Sequence, residues 1–588
     1  VIYGKPTDPM YRTLFCLATI ASTLQASSQT GWTAITDPDN PIVTLQSLGF
    51  YKGAAWVDYD NDGDIDLFAA PDHLFRNDGA GAFTEVPTAI GSMAGQYVSG
   101  TSWADLDNDG DIDCIQAQWP SAFFWNNLYY NSGDGAFTNV TAGLEGLSDY
   151  AGWACAIGDL DHDAYLDLCF THAAGFLAPA ETRPGLLLQR TSAAAEVNSI
   201  TGYAFTDAFG PYTVPYWSDH DLDGDMDLFI ASGPGGLPGL DFCYRNMLME
   251  TGQDTLERMT TELFASETQD GQCYNFVDCD NDRDLDLCLT NYGGAPTRMY
   301  RNDDGTYVPV ATPFAVIAQN LANDWGDFDN DGDLDVVITR DAGTTKYYRN
   351  DGGFTFTLLS GALPTANGAS GVTNGDYDND GDLDLYVHGN TAAHTLFRND
   401  SVAIGRHSVN IALHGAPSNG SAIGAIVQCR TIINGQAIWQ MREVNAQNSF
   451  QSENDLRVHF GTGDAILIDT VSVRWPTGHV DSFTDLPTDH FYSWVEGSTP
   501  TMGIREVRPK TNVPLAFPNP ARDALNVRWN DPTIKTWTIR DNAGRPLANG
   551  RRTADEQHMA LPDLPAGTYW LEAVAGHGSI AIGFVMQP

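Results

Sequence analysis

The side chains best placed to do chemistry are aspartates. Seven times the chain spells a loop with carboxylates at positions 1, 3, 5 and 9, beginning at Asp58, Asp105, Asp159, Asp219, Asp278, Asp327 and Asp376, at intervals of 47, 54, 60, 59, 49 and 49 residues. The first loop offers Asp58, Asp60, Asp62 and Asp66, and the second Asp105, Asp107, Asp109 and Asp113. The third offers Asp159, Asp161, Asp163 and Asp167, the fourth Asp219, Asp221, Asp223 and Asp227, and the fifth Asp278, Asp280, Asp282 and Asp286. The last two carry Asp327, Asp329, Asp331 and Asp335, then Asp376, Asp378, Asp380 and Asp384. Position 7, which is Asp64, Asp111, Tyr165, Asp225, Asp284, Asp333 or Asp382, adds a backbone carbonyl. Four carboxylates drawn to one point repel one another severely unless a hard cation lies between them, and calcium accepts six to eight oxygens at about 2.3–2.6 Å. The expected metal is Ca2+, about seven ions per chain.

These loops are not EF-hands, because position 12, where an EF-hand needs a bidentate Glu, is Ala69, Gln116, Phe170, Ile230, Leu289, Ile338 or Val387. Each loop instead sits between short runs rich in β-branched and aromatic residues, so the ion is expected to staple a β-hairpin. Glycine at position 6 permits the sharp turn. Ala164 and Arg283 replace it in two loops, where weaker binding is expected, most of all at Arg283 with its positive charge. His162 and His220 occupy even loop positions and should point away from the metal.

Positioning seven such loops takes a repeated unit. An aromatic stands two residues before the loop at Trp56, Trp103, Trp217, Phe276 and Trp325. After the loop come a second strand, an aromatic-Arg-Asn strand such as Phe75-Arg76-Asn77 or Tyr348-Arg349-Asn350, and a Gly-x-Phe-Thr strand. Four strands in about 50 residues, repeated seven times, predict an all-β fold led by a seven-bladed β-propeller. The seventh unit stops after Asn399 without its outer strand, and Gly31–Thr36 has the character of an outer strand. The N-terminal strand should therefore complete blade 7 and leave no open edge.

A formal charge of −46 on 588 residues falls largely on the loops, and seven divalent ions, adding fourteen positive charges, would leave −32. That argues against nucleic acid or an anionic membrane as partner. Residues 1–29 have the layout of upstream residues followed by a secretory signal peptide, with Met10 as the start and an apolar run from Leu14 to Leu24. Eight cysteines remain beyond Cys16. Cys155 and Cys169 flank one loop and could pair, or serve equally as small core residues.

The aspartate loops with aromatic-Arg-Asn strands resemble the FG-GAP/VCBS repeats of integrin α-subunit propellers and of the cartilage acidic protein family. Downstream, Asn419, Ser421–Ala425, Arg442-Glu443-Val444, His459–Gly463 and Val473–Gly478 resemble the ASPIC/UnbV domain that follows such propellers. The segment Gln447-Asn448-Ser449-Phe450 stands where that family usually has Gly-Ser-Gly-Tyr. Pro518–Ala521, Asp541–Arg545 and Leu564–Leu571 look like a C-terminal sorting domain of the type IX secretion system. The resemblances imply a propeller over 30–400, a β-rich ASPIC/UnbV domain over 401–496, a linker over 497–513 and a β-sandwich sorting domain over 514–588. They also imply a protein released outside the cell or tethered at its surface.

No nucleophile elbow, HExxH pair or phosphate-cradling glycine loop occurs in the sequence. The expected function is a calcium-dependent, non-enzymatic scaffold for adhesion or recognition, with glycan binding as the alternative and a polysaccharide-acting enzyme behind it. The expected platform for a protein or glycan partner is the loop Trp119-Pro-Ser-Ala-Phe123-Phe124-Trp125 of blade 2, on the face away from the metal.

Overall fold

The computed structural model describes residues 31–586 apart from 46–50, 80, 92–96, 120–125, 134, 142–143, 145, 148–151, 173–183, 194–195, 234–237, 364–367, 390–393, 401–404, 503–514, 518–523, 529–533, 542–544, 554–555, 562–563, 566 and 576–577. The signal-peptide segment and Phe123, Phe124 and Trp125 lie outside the described residues, as does the side chain of Trp119. Strands make up 50% of the molecule and helices 3%, which settles the all-β class.

Seven four-stranded antiparallel sheets follow one another as blades. The first runs Ala54–Val57, Asp66–Ala69, His73–Asn77 and Phe83–Val86. The innermost strands of the others are Tyr97–Ala104, Gly152–Gly158, Tyr212–Ser218, Gly271–Val277, Asn320–Gly326 and Ala369–Gly375. Residues 152–158 and 212–218 are buried throughout, so these strands read as unbroken apolar and small residues rather than as an alternating pattern. Blade 7 takes its fourth strand from the N-terminal end. Trp32 pairs with Asn399, Thr33 with Arg398 and Ala34 with Phe397, which closes the ring by strand pairing.

Residues 407–502 build two four-stranded sheets that stack as a sandwich. One holds His407–His414 between Val458–Gly463 and, in parallel, His490–Val495. The other is centred on Ile426–Ile433 and Leu467–Arg474. Its core residues Val427, Cys429, Val471 and Trp475 belong to one cluster with Leu106, Leu160 and Leu228 of the propeller, so the apolar packing is continuous between the two. The C-terminal region forms a three-stranded and a four-stranded sheet around Leu525, Val527, Ile539 and Leu571.

Between Val444 and Arg457 the sandwich sends a segment into the centre of the propeller, where it meets every blade. Ser452 Oγ accepts the Ala54 N–H of blade 1 (3.1 Å), and the Glu453 carboxylate accepts the Trp103 N–H of blade 2 (2.8 Å). Phe450 lies edge-on to Trp153 of blade 3, with centroids 6.3 Å apart. Asn445 Nδ2 donates to the Tyr216 hydroxyl of blade 4 (3.0 Å), Asn275 Nδ2 of blade 5 to the Asn448 carbonyl (2.8 Å), and Asn454 Nδ2 to Asp324 Oδ1 of blade 6 (2.7 Å). Thr373 of blade 7 donates to the Glu453 carbonyl (2.5 Å). The divergent Gln447–Phe450 segment is thus part of a plug that supplies polar partners to buried groups of the blades.

All eight cysteines of the described chain are unpaired and buried. Cys155 lies opposite Phe170 and Cys169 opposite Ala156, which puts the two thiols on opposite faces of their sheet and excludes the pairing considered for them.

Candidate metal centres

In each blade the aspartate loop joins the first strand to the second, and its backbone is shaped by the carboxylates themselves. Asp58 Oδ1 accepts the Asp62 N–H and its Oδ2 the Gly63 N–H, both at 2.9 Å, while Asp62 Oδ1 accepts the Asp64 N–H at 3.0 Å. The same three bonds recur in blades 2, 6 and 7. Gly63 turns the chain with φ +90°. Ala164 at +71° and Arg283 at +75° hold the same left-handed turn despite their side chains.

The ninth-position aspartate is fixed from the opposite side. Its Oδ1 accepts the N–H of the third strand's last motif residue in all seven blades, at 2.6–2.8 Å, as Asn77 does for Asp66 and Asn399 for Asp384. That residue's side chain also reaches the preceding blade. Asn77 Nδ2 donates to the Tyr377 carbonyl, Asn131 Nδ2 to that of Tyr59 and Asn399 Nδ2 to that of Phe328, each at 2.6 Å. The asparagine of the aromatic-Arg-Asn motif therefore ties its loop to the neighbouring blade, a role that its recurrence signalled without revealing. In blade 5 Asn302 Nδ2 donates to the Leu285 carbonyl of its own blade, and the Tyr307 hydroxyl makes the tie to the His220 carbonyl instead. In blade 3 Arg190 does the same work, with Nη1 donating to the Leu106 carbonyl. His220 does not point away from the centre as expected. Its Nδ1 lies against Asp227 Oδ2, where other loops use the backbone N–H of position 2.

Third-position aspartates are held through one oxygen at most in five blades. Asp107, Asp161, Asp221, Asp280 and Asp378 each keep Oδ1 buried without a hydrogen-bond partner. In blades 1 to 4 three carboxylates of the loop bring oxygens within 4.8 Å of one another: Asp58, Asp60 and Asp62; Asp105, Asp107 and Asp113; Asp159, Asp161 and Asp167; Asp219, Asp221 and Asp223. An orphaned, converging, oxygen-only donor set on hard carboxylates fits calcium and does not suit a soft metal. Burial pushes the Asp58, Asp159 and Asp278 carboxyls up to about 7, Asp113 to about 8 and Asp286 to about 9. Neighbouring loop carboxylates add to the rise. This is the electrostatic cost that a bound cation removes.

The sandwich lies over the same face and answers the loops with cations and close backbone. Arg474 Nη2 reaches Asp219 Oδ2 at 2.5 Å, and Arg406 Nη1 lies 2.6 Å from Asp329 Oδ1. Arg457 Nη2 donates to the Asp376 carbonyl at 3.0 Å. The Arg283 guanidinium turns away from its own loop and stands 5.1 Å over the Trp439 ring. Two glycines permit the contact: a Cβ at Gly420 would stand 2.0 Å from Asp105 Oδ2, and one at Gly461 2.0 Å from Asp327 Oδ2. The glycine of His459-Phe460-Gly461 is required by this approach. Over blade 1 the cover lifts, leaving a cavity of about 540 Å3 between the Asn61–Ile65 turn and the strands carrying Ala412, His414, Phe491 and Ser493.

Family models match three parts of the chain. FG-GAP-like repeats match at residues 58–115, 278–338 and 327–387, ASPIC and UnbV at 415–501, and a secretion system C-terminal sorting domain at 515–587. The chain joins FG-GAP-like repeats, an ASPIC and UnbV domain and a sorting domain. It is a secreted or cell-surface β-propeller protein. No curated protein matches it. Among solved structures it is similar to an Agrocybe aegerita lectin described as recognising non-reducing terminal N-acetylglucosamine, at 15% identity, 58% of this chain, 87% of that one and a TM-score of 0.37. It is also similar to Raptor from Chaetomium thermophilum, at 9% identity, 60% and 28% coverage and a TM-score of 0.36. A third is the α-L-arabinofuranosidase of Fusarium graminearum, at 11% identity, 61% and 95% coverage and a TM-score of 0.34. At these scores the likenesses carry no argument about function.

Proposed function

We propose that the protein is a calcium-dependent, non-enzymatic recognition scaffold, displayed outside the cell for adhesion to a protein ligand. The observation that carries the calcium half is the set of third-position aspartates whose buried oxygens have no protein partner in five different blades. Nature seldom keeps a buried carboxylate oxygen unpaired without an ion to meet it. Asp58 and its equivalents, Asp60 and its equivalents, the position-5 and position-9 carboxylates and the position-7 carbonyls would hold the ion. When bound, the ion supplies charge neutralisation and order. The non-enzymatic half is supported by the commitment of these carboxylates to shaping the loops: Asp58 accepts two backbone N–H groups, and the ninth-position aspartate of every blade accepts one from the third strand. Thermal unfolding with and without EDTA tests the reading, and an unchanged midpoint would count against it.

A glycan ligand is the second reading, favoured by the cavity over blade 1. Its walls combine the half-buried Phe491 ring with Ser493, Asn61, Asn379 and loop carboxylates, the mixture of one flat apolar face and several polar groups that suits a sugar. A glycan array set against a pulldown of extracellular proteins separates the two readings.

A further inference from the structure

Neighbouring loops touch through one side chain that the carboxylate pattern leaves out. Position 4 is Asn61, Asn108, His162, Leu222, Asn281, Asn330 and Asn379 in chain order, and all seven residues have φ between +54° and +63°. Asn61 Nδ2 donates to Asp111 Oδ1 of the next blade at 2.6 Å, Asn281 to Asp333 at 2.7 Å, Asn330 to Asp382 at 2.6 Å and Asn379 to Asp64 at 2.5 Å. The amides of Asn61, Asn281 and Asn330 also face the next position-6 carbonyl, at 3.4, 3.0 and 3.4 Å. Asn108 Nδ2, opposite Tyr165, donates to the Ala164 carbonyl at 2.9 Å. His162 and Leu222 carry no amide. Asp225 Oδ1, on the position-7 side chain that follows His162, is buried without a partner.

We propose that these asparagines are positioning residues that couple adjacent calcium sites, so that blades 5, 6, 7, 1 and 2 load as a cooperative run while coupling fails on both sides of blade 4. The inference rests on the calcium reading of the loops. Position 7 has two tasks, giving its carbonyl to the ion and its carboxylate to the preceding blade. Ordering one loop therefore fixes the acceptor for the asparagine before it, and ordering that earlier loop fixes the donor. Whichever loop binds first lowers the ordering cost of its neighbour, and the effect is reciprocal. A carboxylate acceptor strengthens the tie beyond what the carbonyl beside Tyr165 offers. Because Asn379 and Asp64 are 315 residues apart, the run also crosses the junction between the chain's first and last blades.

The full chain, stripped of metal, is titrated with calcium by calorimetry beside Asn330→Leu and Leu222→Asn. Leucine is chosen because Leu222 already occupies this position with φ +59°. The native chain should give a binding isotherm steeper than that of independent sites. Asn330→Leu should bind the same number of ions with a flatter isotherm and about fivefold weaker affinity at the sites it uncouples. Leu222→Asn, facing Asp284, should steepen it. Equal steepness for the native chain and Asn330→Leu at equal stoichiometry overturns the coupling and leaves calcium binding intact. Calcium binding absent from the native chain overturns the calcium reading itself, and the coupling with it. Should Asn330→Leu not fold, Leu222→Asn decides: a steeper isotherm supports the coupling and an unchanged one overturns it.

Discussion

Phe450, carried by the ASPIC and UnbV domain, places its ring 6.1 Å from that of Tyr51, which precedes the innermost strand of blade 1. The two residues are brought together only by the plug. Replacing Phe450, 1% exposed, with Ala should cost about 3–5 kcal/mol, the usual range for emptying a buried aromatic site. Because the plug meets all seven blades, the loss should appear as a lower midpoint of the propeller itself, read from the near-ultraviolet circular dichroism of its tryptophans. A propeller that melts unchanged would show that the plug is not part of its core.

Removing the metal should loosen the ring. With calcium at tenfold its dissociation constant, each site contributes about 1.4 kcal/mol, so loss of several sites approaches the stability of a whole domain. Calorimetric scans in calcium and in EDTA should differ by many degrees, and readdition of calcium should restore the higher midpoint.

Third- and ninth-position aspartates should fail differently. Asp107→Ala removes a carboxylate whose buried Oδ1 has no partner, so the chelated protein should be as stable as before, with one ion fewer on reloading. Asp113→Ala strands the N–H groups of Asn131 and Leu106 and should cost about 1–3 kcal/mol with or without metal. Metal analysis beside urea unfolding distinguishes the two.

The plug also brings a pH dependence. Asp324, buried under Asn454 and Asn374, has its carboxyl pushed up to about 7 by burial, against 3.8 for an ordinary aspartate. A raised carboxyl favours the folded state most at pH values below the ordinary one, and that contribution fades as pH rises toward about 7. Asp324→Asn keeps an acceptor for the two asparagines and cannot ionise. Its stability should fall less than that of the native chain between pH 4 and about 7, as read from urea midpoints at fixed calcium.

Arg283→Gly should help blade 5. Arginine holds a left-handed turn at φ +75°, which costs a side-chain-bearing residue about 1–2 kcal/mol, and its contact with Trp439 returns less. The variant should bind calcium more tightly at that loop and melt no lower than the native chain.

Seven blades, the strand order and the closure between Trp32 and Asn399 could be read from the sequence because each repeat is a local unit whose turn residues and strands recur at a regular period, so that a missing outer strand at one end and a spare one at the other stand out. The convergent carboxylates were legible for the same reason. The recurrent asparagines were visible too, but their partners stand in the neighbouring blade. The tie from Asn379 to Asp64 depends on bringing the first and last blades side by side.

What the chain's own spacing determined is therefore local: where each aspartate loop lies and which carboxylates it brings close together. Tertiary packing decided the rest. It turned Gln447–Phe450 into the propeller's core, set Arg474 and Arg406 over the loops and left a cavity above blade 1. No spacing encodes those contacts, because they join residues from two domains whose relative placement follows from burying a shared apolar surface.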